Sequence, residues 1–269
     1  MNKTKIEWAD YTWNPVTGCL HGCPYCYARG IANRFGKCKG LAHKMDKEFA
    51  EAFDEPMPAH WHELDAPVNY GGLDPYPYGF EPTLHGYRLC EPASKTKGTK
   101  IFVCSMADLF GEWVPKEWID MVFTACEAAP QHKYLFLTKN PRRYLELYEG
   151  KAFPYADNYW FGTTCTMPGD DFVWMKDVPY HCFVSIEPLL TGGWGSPGPE
   201  RWPEWVIIGA ETGNRRDKTV PEPYWIEDIV AGCSAAGVPV YMKESLVPIV
   251  GESNMLRQWP ASMGVVANG

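Results

Sequence analysis

The chain has 269 residues, 45% of them hydrophobic, which excludes a disordered polypeptide and is enough for one large or two small folded domains. A formal net charge of -8 and a sequence pI near 5.4 exclude broad, non-specific phosphate binding, which needs a basic face, but leave room for a local basic patch or a nucleotide substrate. The ten cysteines follow no apolar leader, since Met1-Asn2-Lys3-Thr4-Lys5-Ile6-Glu7-Trp8 lacks an apolar run after its lysines, and no window reaches membrane-spanning length; the expectation is a reducing, cytoplasmic setting without membrane contact and without a disulfide framework.

In chain order, Tyr11-Thr12-Trp13-Asn14 is β-prone and short, and Asn14-Pro15 and Thr17-Gly18 are turn chemistry, so a first strand runs into a loop. That loop is Cys19-Leu20-His21-Gly22-Cys23-Pro24-Tyr25-Cys26, with cysteines at C-x3-C-x2-C spacing. Thiolates are soft ligands, and three on one short loop can wrap a metal cluster. A closed structural zinc site or an ordinary four-iron cluster takes four protein ligands, so three thiolates leave one iron of a [4Fe–4S] cluster open. The other reading of the same residues is a zinc knuckle completed by His21, Cys38 or Cys90. A helix is predicted over Tyr27–Phe35, ended by Gly36. Cys126, Cys182 and Cys233 stand in apolar or helical context and read as small buried residues.

Residues 36–99 are rich in Pro, Gly, Tyr and His and poor in periodicity, as in Gly71-Gly72-Leu73-Asp74-Pro75-Tyr76-Pro77. They read as a long irregular insertion or lid after the first βα unit, with a short helix over Met45–Phe53. From residue 100 short apolar runs alternate with helical stretches. Strands are predicted at Lys100–Ser105, Tyr134–Leu137, Tyr159–Gly162, His181–Ser185, Trp205–Ile208 and Val238–Met242, with helices at Lys116–Ala128, Arg142–Tyr148 and Tyr224–Ala235. This alternation implies an α/β fold of βαβ units with a parallel sheet, a full or partial (βα) barrel in a single domain spanning 1–269. Val173–Val178 and Gly192–Pro203 are too short or too rich in Gly and Pro for full helices, and Val247–Gly269 is an irregular tail.

Barrel chemistry collects at the C-terminal ends of strands, and here each predicted strand runs into polar residues. These are Cys104-Ser105-Met106-Ala107-Asp108, Thr138-Lys139-Asn140, Thr163-Thr164-Cys165, Ser185-Ile186-Glu187-Pro188, Gly209-Ala210-Glu211-Thr212-Gly213 and Lys243-Glu244-Ser245. Lys139 and Lys243 read either as reactive groups or as ion-pair partners of Glu187 or Glu211.

The cysteine spacing, with the aromatic Tyr25 just before the third cysteine, resembles the radical S-adenosylmethionine (radical SAM) superfamily of TIM-type barrels. The resemblance implies a [4Fe–4S] cluster on Cys19, Cys23 and Cys26, S-adenosyl-L-methionine chelated to the open iron, and flavodoxin or ferredoxin as electron donor. The activity implied is reductive cleavage of SAM and hydrogen abstraction from a substrate. In that superfamily the second strand ends in a Gly-Gly-Glu-like segment that holds the SAM amino group; Ser105-Met106-Ala107-Asp108 stands in its place, without the paired glycines and with Asp108 for the Glu. Thr163 and Thr164 are then implied at the ribose or carboxylate, and Glu187, Gly209 and Glu211 near the adenine. Lys139, Glu187 and Lys243 are the residues expected to act on the substrate.

A closer resemblance, to a phage- and bacterium-associated family of radical-SAM-like proteins with no settled reaction, covers almost the whole chain. It is carried by Trp13-Asn14-Pro15, Cys26-Tyr27-Ala28, the run Phe102-Val103-Cys104-Ser105-Met106-Ala107-Asp108-Leu109-Phe110, Leu137-Thr138-Lys139-Asn140-Pro141, Ser185-Ile186-Glu187-Pro188-Leu189-Leu190, Gly209-Ala210-Glu211-Thr212-Gly213 and Tyr241-Met242-Lys243. A phage-type context implies a nucleotide or nucleic-acid substrate, for which Arg142-Arg143 and Arg215-Arg216 with Lys218 are basic clusters suited to phosphates. The alternative from another class is a non-catalytic zinc or iron–sulfur module that recognises a partner.

Overall fold

The computed structural model describes residues 1–36, 61–69, 72–170, 180–194, 202–213 and 215–264. The helix expected over Met45–Phe53, the stretch Val173–Val178, part of Gly192–Pro203 and Cys38 lie outside the described residues. The backbone divides into two compact units, Met1–Tyr134 and Leu135–Gly269.

The first unit contains β1 (Asn2–Lys3), β2 (Tyr11–Trp13), β3 (Val16–Thr17), α1 (Tyr27–Phe35), β4 (His62–Leu64), β5 (Val68–Asn69), β6 (Leu73–Asp74), β7 (Thr83–His85), β8 (Lys100–Val103) and α2 (Lys116–Glu127). β2 is flanked by β1, antiparallel, and β8, parallel. Trp13 is fully buried at the end of β2 and its indole N–H donates to the Arg88 carbonyl at 2.9 Å, so the large ring needs no water for its polar atom. α2 buries Trp118, Ile119, Val122, Phe123 and Cys126, the i, i+1, i+4, i+5, i+8 stripe of an amphipathic helix. α1 matches its predicted bounds and ends at Gly36.

Residues 61–99 are more structured than their composition led one to expect. β7 is the middle strand of a three-stranded sheet, antiparallel to β3 and parallel to β4, and β5 and β6 form a small antiparallel pair. The described part of the supposed lid is therefore built against the strand that leads into the cysteine loop.

The second unit contains β9 (Lys133–Thr138, which starts just before the boundary), α3 (Arg142–Glu149), β10 (Tyr159–Cys165), β11 (His181–Ile186), β12 (Trp205–Ile208), α4 (Pro223–Ala236), β13 (Val240–Met242) and α5 (Val247–Val250). β10, β11, β12 and β13 are parallel neighbours in chain order. This is a mixed α/β fold with a large parallel sheet, as the strand–helix alternation predicts. α4 starts with Pro223 in its first turn and stops where Gly237 takes a φ of +68°, which favours glycine.

Because side chains alternate across a strand, the register sorts the sheet into two faces. Val184, Ile186, Val206, Ile208, Val240 and Met242 pack with Ile226, Ile229 and Cys233 of α4. The opposite face carries Phe183, Trp205 and Tyr241, and Gly162 makes room there: a Cβ on it would stand 2.3 Å from the Phe183 ring.

The tail is not patternless up to residue 264. Met242 N–H donates to the Leu256 carbonyl and Gln258 N–H to that of Val240, so this stretch runs along the open edge of β13. Trp259 stacks on Trp205 at 4.9 Å. No helix among the described residues is long and apolar enough to cross a membrane.

Candidate functional site

The first group of residues is the cysteine loop and what grips it. Gly18 opens the loop at φ +87°, and a Cβ there would lie 2.0 Å from the Glu81 carbonyl oxygen, so only glycine fits. Gly18 N–H donates to the Met106 carbonyl at 2.9 Å and Cys19 N–H to the Phe80 carbonyl at 3.1 Å. At the far end Cys26 caps α1, its sulfur accepting from Arg29 N–H at 3.4 Å.

The segment after β8 holds the loop from the other side. Cys104 has a φ of +57°, rare for a residue with a Cβ, and the chain turns sharply there into Ser105–Asp108. The side-chain oxygen of Asn14 accepts from Met106 N–H at 2.9 Å and from the Ser105 hydroxyl at 3.2 Å. The Tyr27 hydroxyl donates to the Ser105 carbonyl at 2.8 Å. Asp108 is buried; one oxygen meets His21 Nε2 at 2.7 Å and the other accepts from Phe110 N–H at 3.0 Å. The His21 ring also meets Trp113 edge-on at 4.8 Å. Asp108 thus ties the middle of the cysteine loop to the end of β8.

Cys19, Cys23 and Cys26 are half-buried free thiols. Burial pushes the Cys19 thiol up to about 12; an amide of His21 opposes this, and the charges of Asp108, Cys26 and Cys23 add to it. A cation bound beside Cys19 would offset the effect of these neighbouring charges. Among the described residues no three His, Cys, Asp or Glu side chains are gathered tightly enough to hold a metal ion. The donor set nonetheless fits a soft metal centre: three thiols on one pinned loop. Tyr25 sits half-buried between the second and third cysteines.

The second group lies in the second unit. Lys243, just past β13, pairs with Glu187, just past β11. The pair crosses Gly209, where a Cβ would come within 3.1 Å of the Lys243 side chain and 3.2 Å of Glu187. The ion-pair reading of Lys243 is the one found. Glu211 is held elsewhere: Arg215 grips it with two bonds of 2.6 Å and Thr219 N–H adds a third, and the Arg215 hydrogen bonds hold its carboxyl below the usual range. Lys139 follows β9 and lies close enough to Cys165 to oppose the burial and the Asp170 charge that push that thiol up to about 12.

Thr163 and Thr164 do not share a face. Thr163 is in register with Val184, on the side packed by α4, whereas Thr164 is in register with Ser185 on the opposite side. Both lie inside β10, which runs three residues beyond its predicted end. Of the basic clusters, Arg143 pairs with Glu146 at 2.9 Å and Arg215 with Glu211.

Sequence reasoning passed over Asn14, Tyr27 and the Phe80–Glu81 backbone as parts of this site. The Asn14-Pro15 turn was the one local signal, since an Asn side chain in a turn hydrogen-bonds backbone. Tyr27 simply follows Cys26 in the chain, whereas the Phe80–Glu81 backbone is brought to the loop by the β3–β7 pairing across more than sixty residues of chain, which has no local signature.

The structure of spore photoproduct lyase complexed with dinucleoside spore photoproduct is similar at a TM-score of 0.44 and 11% identity over 77% of this chain. The chain spans 57% of the length of that protein. No curated protein matches the sequence. The family described as "Protein of unknown function (DUF5131)" matches residues 3–247, nearly the whole of the sequence, and the chain belongs to it.

Proposed function

We propose that this protein is a radical SAM enzyme, with a full or partial (βα) barrel, whose cluster is held by Cys19, Cys23 and Cys26. The observation that carries the reading is the loop itself: three half-buried free thiols on one pinned loop, and no fourth cysteine between Gly18 and the end of α1. Bound there, a [4Fe–4S] cluster with SAM on its open iron would supply one-electron reductive cleavage of SAM and hydrogen abstraction from a substrate. The chain's own work is positional. Gly18 and Cys104 set the two backbone turns, Asn14 and Tyr27 fix the segment after β8, and the Asp108–His21 contact keeps the loop from spreading. Tyr25 and Ser105 lie on these same two segments and are the cofactor-side contacts in this reading. Thr164 is assigned with them to the cofactor and Lys139 to the substrate side, and a nucleotide or nucleic acid is the substrate class.

Anaerobic reconstitution with iron and sulfide, then incubation with SAM and dithionite, tests it. The expected product is 5′-deoxyadenosine, lost when any of the three cysteines is changed to Ala. Stoichiometric zinc with no iron uptake would instead establish the partner-binding module.

A further inference from the structure

Ser185 is 1% exposed on β11, and among the described residues its hydroxyl has no hydrogen-bond partner. A buried hydroxyl left unpaired is costly, and such a group marks a place where a partner is missing. Two residues on, just past the end of β11, stands Glu187. Thr164 is in register with Ser185 and adds a second hydroxyl to the Ser185 face of the sheet. Beyond them the Glu187–Lys243 pair spans the end of β12, where Gly209 offers no side chain. One carboxylate, one ammonium and an orphaned hydroxyl thus belong to the C-terminal ends of neighbouring parallel strands.

We propose that the C-terminal ends of β11, β12 and β13 bind an amino-carboxylate zwitterion: a free α-amino acid or the amino-acid end of a larger molecule. Glu187 takes the ligand's ammonium, Lys243 its carboxylate, and the Ser185 hydroxyl donates to that carboxylate. The charges decide the class. A phosphate on Lys243 would face the Glu187 carboxylate, and a polyamine on Glu187 would face the Lys243 ammonium. A sugar diol would make only neutral or singly charged bonds. A zwitterion exchanges one internal charge-assisted bond for two external ones, at groups that folding has already stripped of most of their water.

The assignment does not depend on the iron–sulfur reading. If that reading holds, the amino and carboxylate groups of SAM are committed to the iron and this site serves a second molecule. The test therefore uses the full chain with Cys19, Cys23 and Cys26 all changed to Ala, alongside the parent. Calorimetry is run with each of the common α-amino acids, SAM, N-acetyl-L-methionine and inorganic phosphate. At least one free amino acid or SAM binds the cluster-free chain with a dissociation constant below about 1 mM, and its N-acetyl or ester derivative binds at least about tenfold more weakly. Binding of SAM without any free amino acid assigns the site to the end of a larger molecule. Glu187→Gln and Lys243→Met each weaken binding at least about tenfold, and Ser185→Ala by a smaller factor, with circular dichroism unchanged. The Ser185→Ala arm keeps the ion pair and so guards against misfolding of the charge variants. No binding of any zwitterion up to about 10 mM, equal binding of the blocked derivatives, or binding of phosphate alone overturns the proposal.

Discussion

At the residue scale the cysteine loop depends on a few contacts with definite strengths. Asp108 is buried with both oxygens engaged, so Asp108→Asn keeps the shape and weakens its bond to His21. We expect a loss of about 1–2 kcal/mol in urea unfolding, the usual worth of one such bond, and faster loss of reconstituted iron to a chelator. Unchanged iron retention would mean that His21 does not hold the loop. Gly18→Ala should be far worse, because its Cβ would sit 2.0 Å from a backbone oxygen and the turn would have to reopen; no iron should bind after reconstitution. His85 makes a different prediction. It is fully buried between the Thr17 hydroxyl and the Tyr87 hydroxyl, and burial, helped by the Arg88 charge, lowers its pKa to about 3. In the unfolded chain a histidine titrates near 6.5. Between those values the unfolded state takes up a proton that the native state refuses, so stability falls as pH drops through about 6.5 toward 3, by at most about 1.4 kcal/mol per pH unit. Urea unfolding at several pH values should show a shallower decline for His85→Gln than for the parent. Parallel curves would contradict the burial argument.

At the element scale the tail is the clearest case. Residues 255–259 hydrogen-bond along β13, and Trp259 covers Trp205, whose indole donates to the Gln258 carbonyl at 3.0 Å. Trp259→Ala should cost about 2–3 kcal/mol, from the apolar area lost, and leave the cysteine loop's metal uptake intact. A neutral substitution would show that the edge of β13 needs no cover. The strand–helix repeat after residue 100 was legible because its runs are long enough to show their period; α1, α2, α3 and α4 fall within a residue of their expected ends. Two kinds of element were not. β4, β5, β6 and β7 are two or three residues each, too short for alternation to register, and are defined by long-range pairing. The tail likewise hydrogen-bonds along a strand edge without any periodicity of its own. At the site, Cys19, Cys23 and Cys26 announce themselves by spacing. The split between Thr163 and Thr164 follows from the strand continuing where the polar residues implied an end.

At the scale of the whole molecule, the family match over residues 3–247 takes in both the cysteine loop and the strand-end residues. The acidic net charge of -8 bears on the substrate. Under the proposed function, a long nucleic acid bound along its backbone would need a basic face, so that proposal favours a nucleotide or a short, locally gripped segment. Raising salt from about 50 to 200 mM should therefore change substrate affinity by much less than the thousandfold typical of extensive phosphate contacts.

The most direct test of the account is electron paramagnetic resonance of the anaerobically reconstituted, dithionite-reduced protein, with and without SAM. Three cysteine ligands and an open iron predict about four irons per chain and a reduced-cluster spectrum whose g values shift when SAM is added. Cys19→Ala, Cys23→Ala and Cys26→Ala should each abolish the signal, while Cys126→Ala, on the buried face of α2, should leave it unchanged. A spectrum indifferent to SAM, or stoichiometric zinc in place of iron, would contradict it.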